Sequence, residues 1–597
     1  MCASKLERCL HWAKENGASI DDAVHFENSE TNGFSAILNK SIDIKSLDQK
    51  KLIEIPKNLL ITKHLAKEAF VETDDGSIGN TNALTQMYLA KLMFDNSNCS
   101  EIMNEKRVFF KPYLDVLPLD LSHPYFWPLE KLELLKKTDV YVILKQNLKK
   151  FILEWKSVVE LLDIKIDHDR LAFLLQTTLD LDDDLSFNSL IDYIQISKTS
   201  FLEDRSNIPW DGFFAYLWST CVFLSRAFPA ILIDKKCTDI NEAFLLPIVD
   251  LLNHRNDTDV KWRFMDNNVV FFSDEQNFKG KRENPNNELF NNYGDKSNEE
   301  LLLGYGFAEE NNNHDFCRLT MRLDNDYLQG AKKLGVNLRD QNLVSDGCVQ
   351  FQLSGSDPLP KALVDLFGYL CKLKSEKTIT SRAALEGTDE LGNILNSKLI
   401  ATKDLIKFIK GSDRINKILK SYLTSHRKLL NKSIECLAKK QKQMIQSISS
   451  KSMISFKTIF KSDKTFANAM LLRFGVLKFE DLVTKNCLNK ALMLWIVRIS
   501  NKETLEKKLD YSVPNFILET FADVSSTIVV QKEDVMEYMT FYKELFPHLT
   551  QKLPDVFGKG DWGIKQFIIA DTVIDRIVWI RKSNQEPMFV KKEEYCD

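Results

Sequence analysis

The chain has 597 residues, with 80 Lys and Arg against 84 Asp and Glu for a formal net charge of −4; 44% of residues are hydrophobic and 27% charged. That length is roughly three to five domains' worth of chain, the composition is that of ordinary packed cores, and a charge so near zero excludes nucleic-acid binding by bulk attraction, leaving only a local basic face. The longest apolar stretches, such as Ala491 to Val497, fall far short of the roughly 20 residues of a membrane helix. The start, with Leu6, Glu7, Arg8 and Trp12, has no apolar signal-peptide core, so the chain reads as soluble.

The first 62 residues read as a short helix (Leu6, Cys9, Leu10 and Ala13 at helical spacing, Gly17 as its stop) followed by strands at Gly33 to Leu38 and Leu52 to Pro56. From 63 to 200 the pattern is helical, as in Leu84 to Met93 and in Val140 to Leu161, where Val142, Leu144, Leu148, Phe151, Ile152 and Trp155 keep a 3–4 period. Between 201 and 325 an aromatic helix (Trp210 to Phe228) gives way to β-like runs at Val269 to Phe272 and Cys317 to Leu323. Most of Asn277 to Glu300 reads as surface loop. Beyond about 330 the chain is helical almost to its end, its longest element running from Arg414 to Ile448. No repeat of fixed period is present. The economical reading is α+β: a β-rich domain split by a helical insert, then an all-helical C-terminal domain.

Eleven cysteines are scattered with no CxxC or CxC pair. Zinc-knuckle spacing is therefore absent, no metal is expected, and reduced thiols in the cytosol or nucleus are implied. Gly280-Lys281 lacks the flanking residues of a phosphate loop, and no Gly-x-Ser-x-Gly, kinase loop or His-Glu-x-x-His occurs.

The informative stretch is Leu246-Pro-Ile-Val-Asp-Leu-Leu-Asn-His254, an apolar run ending in Asp250, Asn253 and His254. Buried polar groups need partners, so these three either tie to local backbone, as a helix cap and a turn, or face a ligand. A second cluster is Leu301-Leu-Leu-Gly-Tyr-Gly-Phe307, preceded by Leu289-Phe-Asn-Asn-Tyr-Gly294, in which glycines flank Tyr305. Taken alone, a glycine-flanked tyrosine such as Tyr305 reads as a packed aromatic before a functional one. A third is Ser225-Arg226-Ala-Phe228, whose plain reading is a surface ion pair.

Together and in this order, these pieces resemble the SET-domain protein-lysine methyltransferases of the Rubisco-methyltransferase type. Pro112-Tyr-Leu-Asp-Val-Leu-Pro118 with Trp127-Pro-Leu-Glu130 is similar to a segment of that family's helical insert. The resemblance implies a SET domain in two parts, 1–62 and 201–325, an insert at 63–200, and a helical substrate-binding-like domain at 326–597. It implies S-adenosylmethionine as cofactor and Tyr305 as the catalytic tyrosine. Glu30, Asn32 and Gly33 stand in the family's glycine motif, with Thr31 in place of its first glycine. Asn253 and His254 match the pair that holds the cofactor, and Ser225, Arg226 and Asp250 match residues bordering the methionine and lysine ends. Arg255 stands where a serine is common, and Asn287 where a glycine precedes Glu288.

The chemistry agrees with the residue types. Methyl transfer to an amine needs a neutral lysine, whose ordinary pKa is about 10.4; burial beside a sulfonium disfavours the ammonium, so alignment matters more than a general base. A tyrosine hydroxyl can position the methyl group by weak C–H···O contacts. Residues 401–450 carry 12 Lys and Arg against 3 Asp and Glu, and Asp180 with Asp182 to Asp184 form an acidic run; solvated faces are the plain reading of both. The expectation is a lysine methyltransferase acting on a ribosomal protein or translation elongation factor in the cytoplasm or nucleus. No direct nucleic-acid recognition and no membrane partner are expected. Cytochrome c is the alternative substrate, and a non-catalytic SET scaffold the alternative function.

Overall fold

Two helices in the first half of the chain are apolar around their whole circumference, and such helices are stable only when neighbours cover every face. In the computed structural model, Ala83–Phe94 and Phe213–Arg226 cover each other. The structure describes residues 4–29, 33–39, 50–70, 79–95, 101–179, 181, 183–256, 258, 260–272, 287–345, 347–504, 509, 511–546, 548–582 and 584–595. Contacts divide it into two units, Met1–Asp315 with Asp404–Ser425 and Phe316–Lys403 with His426–Asp597.

The first unit opens with α1 (Lys5–Glu15), capped by Ser4 Oγ, which accepts from the Glu7 amide at 3.1 Å. Strands β1 (Ser19–Ile20), β2 (Val24–Ser29), β3 (Gly33–Leu38) and β4 (Lys51–Pro56) follow. A run of helices comes next: α2 (Lys63–Ala69), α3 (Ala83–Phe94), α4 (Glu101–Leu114), α5 (Leu129–Leu132), α6 (Asp139–Leu161), α7 (His168–Leu179), α8 (Asp184–Glu203) and α9 (Phe213–Arg226). Strands then return as β5 (Ala227–Pro229), β6 (Ala243–Leu245), β7 (Lys261–Met265), β8 (Asn268–Phe272) and β9 (Glu288–Leu289), before α10 (Asn298–Tyr305).

The sheets are antiparallel, ordered β1-β4-β8-β7, β2-β3-β9 and β5-β6. Two of them join chain from either side of the helical run: Ile53 faces Phe271, Ile55 faces Val269, and Ala36 faces Leu289. The β-rich layer is thus closed by residues more than 200 positions apart in sequence, with the helices as an excursion between them. Trp155, Trp218, Val269 and Phe271 are fully buried in its core.

In the second unit, β10 (Phe316–Arg322) and β11 (Leu343–Ser345) flank β12 (Cys348–Ser354). Helices α11 (Asn325–Lys333), α12 (Lys361–Leu370), α13 (Ser381–Phe408) and α14 (Arg414–Ser447) follow, the last two apart from Asp404–Ser425, which belongs to the first unit, and Leu319, Phe351, Leu391 and Leu430 share a core. Farther on, helices including Leu488–Ser500 and Ile564–Ile577 bury Trp495 and Phe567 beside a sheet of β13 (Met453–Ser455), β14 (Val578–Arg581) and β15 (Glu586–Val590). The helical pattern beyond 330 is as the sequence predicts. It also holds these small sheets; β12 alternates Val349, Phe351 and Leu353 with Gln350 and Gln352, a mark the helical reading passed over, while the three-residue strands β11 and β13 are too short to show a period.

The acidic run falls partly outside the described residues (Asp180 and Asp182). Asp183 caps α8 through the Ser186 amide, and Asp184 lies 2.9 Å from Lys136. Among the described residues, no helix is long and apolar enough to cross a membrane, and no three His, Cys, Asp or Glu side chains gather as metal ligands.

Candidate active site

The run 246–254 leaves β6 and enters a tight turn. Ile248 sits at φ 73°, a region that a β-branched residue adopts only when its surroundings force it. The following 3-10 turn, Val249–Leu251, carries Asp250 into the interior. Its side chain is 0% exposed. No helix amide is capped by it; the Tyr113 hydroxyl of α4 donates to Oδ2 at 2.8 Å, and Arg226 Nη1, from the end of α9, lies 2.8 Å from its carbonyl oxygen and 3.4 Å from Oδ2. Burial raises the Asp250 pKa, opposed by Arg226 and by the Tyr113 hydrogen bond. Oδ1 is buried with no partner among the described residues, so the carboxylate depends on Tyr113 and Arg226.

Asn253 ties the same turn to two strands. Its Nδ2 donates to the Glu288 carboxylate at 2.7 Å and to the Phe34 carbonyl at 3.2 Å, joining β9 and β3. Its backbone pairs with Asn291, whose amide donates to the Asn253 carbonyl at 2.8 Å while Arg255 N donates to the Asn291 carbonyl at 2.9 Å. Burial raises the Glu288 carboxyl, opposed by the Asn253 bond and by Arg255.

From this crossing rises a column of rings. His254 stacks on Tyr293 at 4.8 Å, and Tyr293 on Tyr305 at 4.7 Å with planes 11° apart. The column is pinned by the Tyr293 amide donating to His254 Nδ1 at 3.0 Å and the Tyr293 hydroxyl donating to the Leu252 carbonyl at 2.8 Å. The acceptor role leaves the His254 proton on Nε2 when the ring is neutral. Tyr305 closes α10, whose start is fixed by a Ser297–Glu300 capping box and whose end is Gly306 at φ 76°. No described residue hydrogen-bonds the Tyr305 hydroxyl, and burial, with Glu300 nearby, pushes its pKa up to about 12, so the phenol keeps its proton at neutral pH.

The structure therefore brings together Arg226, Asp250, Asn253, His254 and Tyr305. Ser225 is adjacent, but its hydroxyl turns back to the Cys221 and Val222 carbonyls of its own helix at 2.8 and 3.2 Å. Gly33 begins β3 at φ 70° with nothing within 4 Å of where a side chain would start. Glu30 and Asn32, with Thr31, lie outside the described residues. Both departures in the motif have local reasons. Asn287 adopts φ 52°, which asparagine tolerates better than other side chains. Arg255 is buried, bonds Thr258 Oγ1 at 3.0 Å and lies over the Phe290 ring at 4.8 Å.

Three contributors are not singled out by the sequence: Tyr113, Tyr293 and His123. The first two lie inside motifs already legible, Pro-Tyr-Leu and Asn-Tyr-Gly. His123 carries no sequence signal. Chemically, a zwitterionic amino-acid group needs an acceptor for its ammonium and a cation for its carboxylate. Arg226, 19% exposed, can supply the cation, Asp250, 0% exposed, holds that guanidinium from beneath, and the ring column supplies an apolar wall, so Arg226 and the rings fit the amino-acid end of S-adenosylmethionine.

The second unit's start matches a family model, the EFM1 middle domain, over residues 316–448. The whole chain is 41% identical, over a 604-residue alignment covering 99% of each chain, to protein-lysine N-methyltransferase EFM1 of Saccharomyces cerevisiae. It is 30% identical to ribosomal lysine N-methyltransferase 1 of the same yeast, covering 86% of this chain and 89% of that one. A structure of Rubisco LSMT bound to AdoMet superposes with a TM-score of 0.48 at 15% identity, covering 81% of this chain and 99% of that one. The chain belongs to the protein-lysine N-methyltransferases. It is an enzyme whose substrate is a protein.

Proposed function

We propose that the ring column ending on Tyr305 is the methyl-transfer centre, and that the protein methylated belongs to the translation machinery, either a ribosomal protein or a translation elongation factor. The observation that carries the site is Tyr305 itself. Its ring is fixed by stacking on Tyr293, while its hydroxyl makes no bond to a described residue. A hydroxyl so immobilised and unspent is prepared to contact a reacting group.

S-adenosylmethionine supplies the methyl group on a sulfonium. Arg226, anchored by the buried Asp250, holds its amino-acid end, Asn253 and His254 hold the turn around it, and the motif of Glu30, Asn32 and Gly33 serves it as the resemblance implies. The lysine enters beside Tyr305. Burial beside the sulfonium charge disfavours its ammonium form, so it gives its proton to solvent and the neutral amine forms without a dedicated base. Tyr305, neutral because its pKa is held near 12, offers a hydroxyl dipole in place of a phenolate charge. The SET domain comprises 1–62 and 201–325, with the insert at 63–200, and the helical remainder, 326–597, docks the substrate protein. A cytoplasmic setting follows from such a substrate. The relative named as a ribosomal lysine N-methyltransferase supports the substrate class.

The site is tested with Tyr305→Phe, by tritium transfer from S-adenosylmethionine to protein in a lysate of cells lacking the enzyme. Turnover should fall about tenfold or more, since the hydroxyl acts at the reacting centre, with cofactor affinity by titration calorimetry largely kept. Wild-type turnover refutes the role of Tyr305. Intact-mass proteomics of a deletion strain tests the substrate: a ribosomal protein or elongation factor should become lighter by multiples of a methyl group. A cytochrome c shift alone would refute that assignment, and absence of cofactor binding would make the chain a scaffold.

A further inference from the structure

The helical insert does more than fill space beside the SET sheets. Its segment Ser122–Trp127 meets the backbone on both sides of Tyr305. On one side His123, 1% exposed, places Nε2 3.0 Å from the Gly304 carbonyl oxygen. On the other, Gly306 is so close that a Cβ there would lie 2.9 Å from the His123 nitrogen and the Ser122 carbonyl carbon.

The His123 ring is neutral: burial, with Arg226 and Arg414 adding repulsion, holds its pKa at about 4 against the lift from the Gly304 bond. Facing a carbonyl, a neutral imidazole carries its proton on that nitrogen and donates. Nδ1 is buried without a partner among the described residues, so the ring tolerates an unsatisfied nitrogen while keeping the Nε2 bond. Gly304 supplies one of the last carbonyls of α10, which have no intrahelical partner. That carbonyl shares its peptide plane with the Tyr305 amide, so fixing it fixes the plane from which the Tyr305 side chain departs.

The segment presenting His123 is itself rigid. Trp127, fully buried, donates Nε1–H to the Ser122 carbonyl at 2.8 Å, and the Phe126 amide donates to the His123 carbonyl at 3.0 Å. Asn147 of α6 donates to the Tyr125 hydroxyl at 2.8 Å.

We infer that His123 is a positioning residue for methyl transfer, through which the helical insert sets the orientation of Tyr305. The inference rests on the reading of Tyr305 as catalytic, and a double-mutant cycle separates the two. In the full chain, His123→Leu should slow methyl transfer to protein in the deletion-strain lysate roughly tenfold or more, as small misplacements of reacting groups do, with S-adenosylmethionine affinity by calorimetry within about twofold. His123→Gln, whose amide reaches as far as Nε2, should restore most of the rate. In a Tyr305→Phe background, His123→Leu should have no further effect, because coupled residues are not additive.

Equal loss in both backgrounds, a glutamine variant no better than leucine, or wild-type rate in His123→Leu each overturns the inference. Wild-type rate in Tyr305→Phe alone overturns the reading beneath it. Should His123→Leu not fold, His123→Gln is compared with His123→Asn, whose amide is one bond short. A slower asparagine variant supports the positioning role, and equal rates refute it.

Discussion

Asn253 is the one side chain that ties the 246–254 turn to both β3 and β9, and Asn253→Ala removes both ties at once. The bond to Glu288 at 2.7 Å is to a carboxylate and that to Phe34 at 3.2 Å to a neutral carbonyl. Bonds to charged groups contribute about 1.5–3 kcal/mol and neutral ones about 1 kcal/mol, so the loss is about 3 kcal/mol at neutral pH. The loss depends on pH in a definite direction. Burial already raises the Glu288 pKa, and Asn253 holds it down; without Asn253 it rises further. A raised folded-state pKa gives stability that is present at low pH and lost as pH rises through that value. The variant's deficit should therefore shrink to about 2 kcal/mol, that of two neutral hydrogen bonds, at low pH, where Glu288 is protonated in both proteins, and reach its full size above the variant's Glu288 pKa. Thermal melting across that range measures it. The full deficit corresponds to roughly 6–12 °C, since each kcal/mol moves the midpoint by about 2–4 °C in domains of 150–250 residues. A deficit equal at all pH values, or greater in acid, would refute the reasoning.

Arg226→Met leaves the Asp250 carboxylate, 0% exposed, with the Tyr113 hydroxyl as its remaining side-chain donor among the described residues. Breaking a buried pair typically costs 3–5 kcal/mol, and the partial exposure of Arg226 places this one near the lower end, about 3 kcal/mol, by urea unfolding near neutral pH. The same variant should weaken S-adenosylmethionine binding in calorimetry, a loss a purely structural pair would not produce. Asn287→Ala, at φ 52°, should cost about 1 kcal/mol, whereas Asn287→Gly stays within a few tenths. Equal midpoints for the two would show that the left-handed conformation does not govern this position.

Much of the fold was legible because its signals are local. The 3–4 apolar period of Val140 to Leu161 became α6 within a residue or so, the 414–448 stripe became α14, and Gly33 to Leu38 and Leu52 to Pro56 became strands. Asp250, Asn253, His254 and Tyr305 stood out because polar or glycine-flanked groups interrupt apolar runs. In the second unit Cys317 to Leu323 became β10, whereas the three-residue strands β11 and β13 left no such mark. Whether Asp250 caps a helix or faces a ligand was also beyond sequence, since its partners, Tyr113 and Arg226, arrive from 137 and 24 residues away.

The opening composition, near-neutral and without paired cysteines, by itself excluded bulk-charge binding and zinc-knuckle spacing, and the motifs fixed the family resemblance and most of the site. The tertiary structure decided which groups meet. It stacked Tyr293 between His254 and Tyr305, turned the Ser225 hydroxyl away, and set His123 against the Gly304 carbonyl across 181 positions of chain. Local propensity and periodicity act over a few residues, whereas a buried polar group takes whichever partner packing delivers, and packing is known only once the chain has closed on itself.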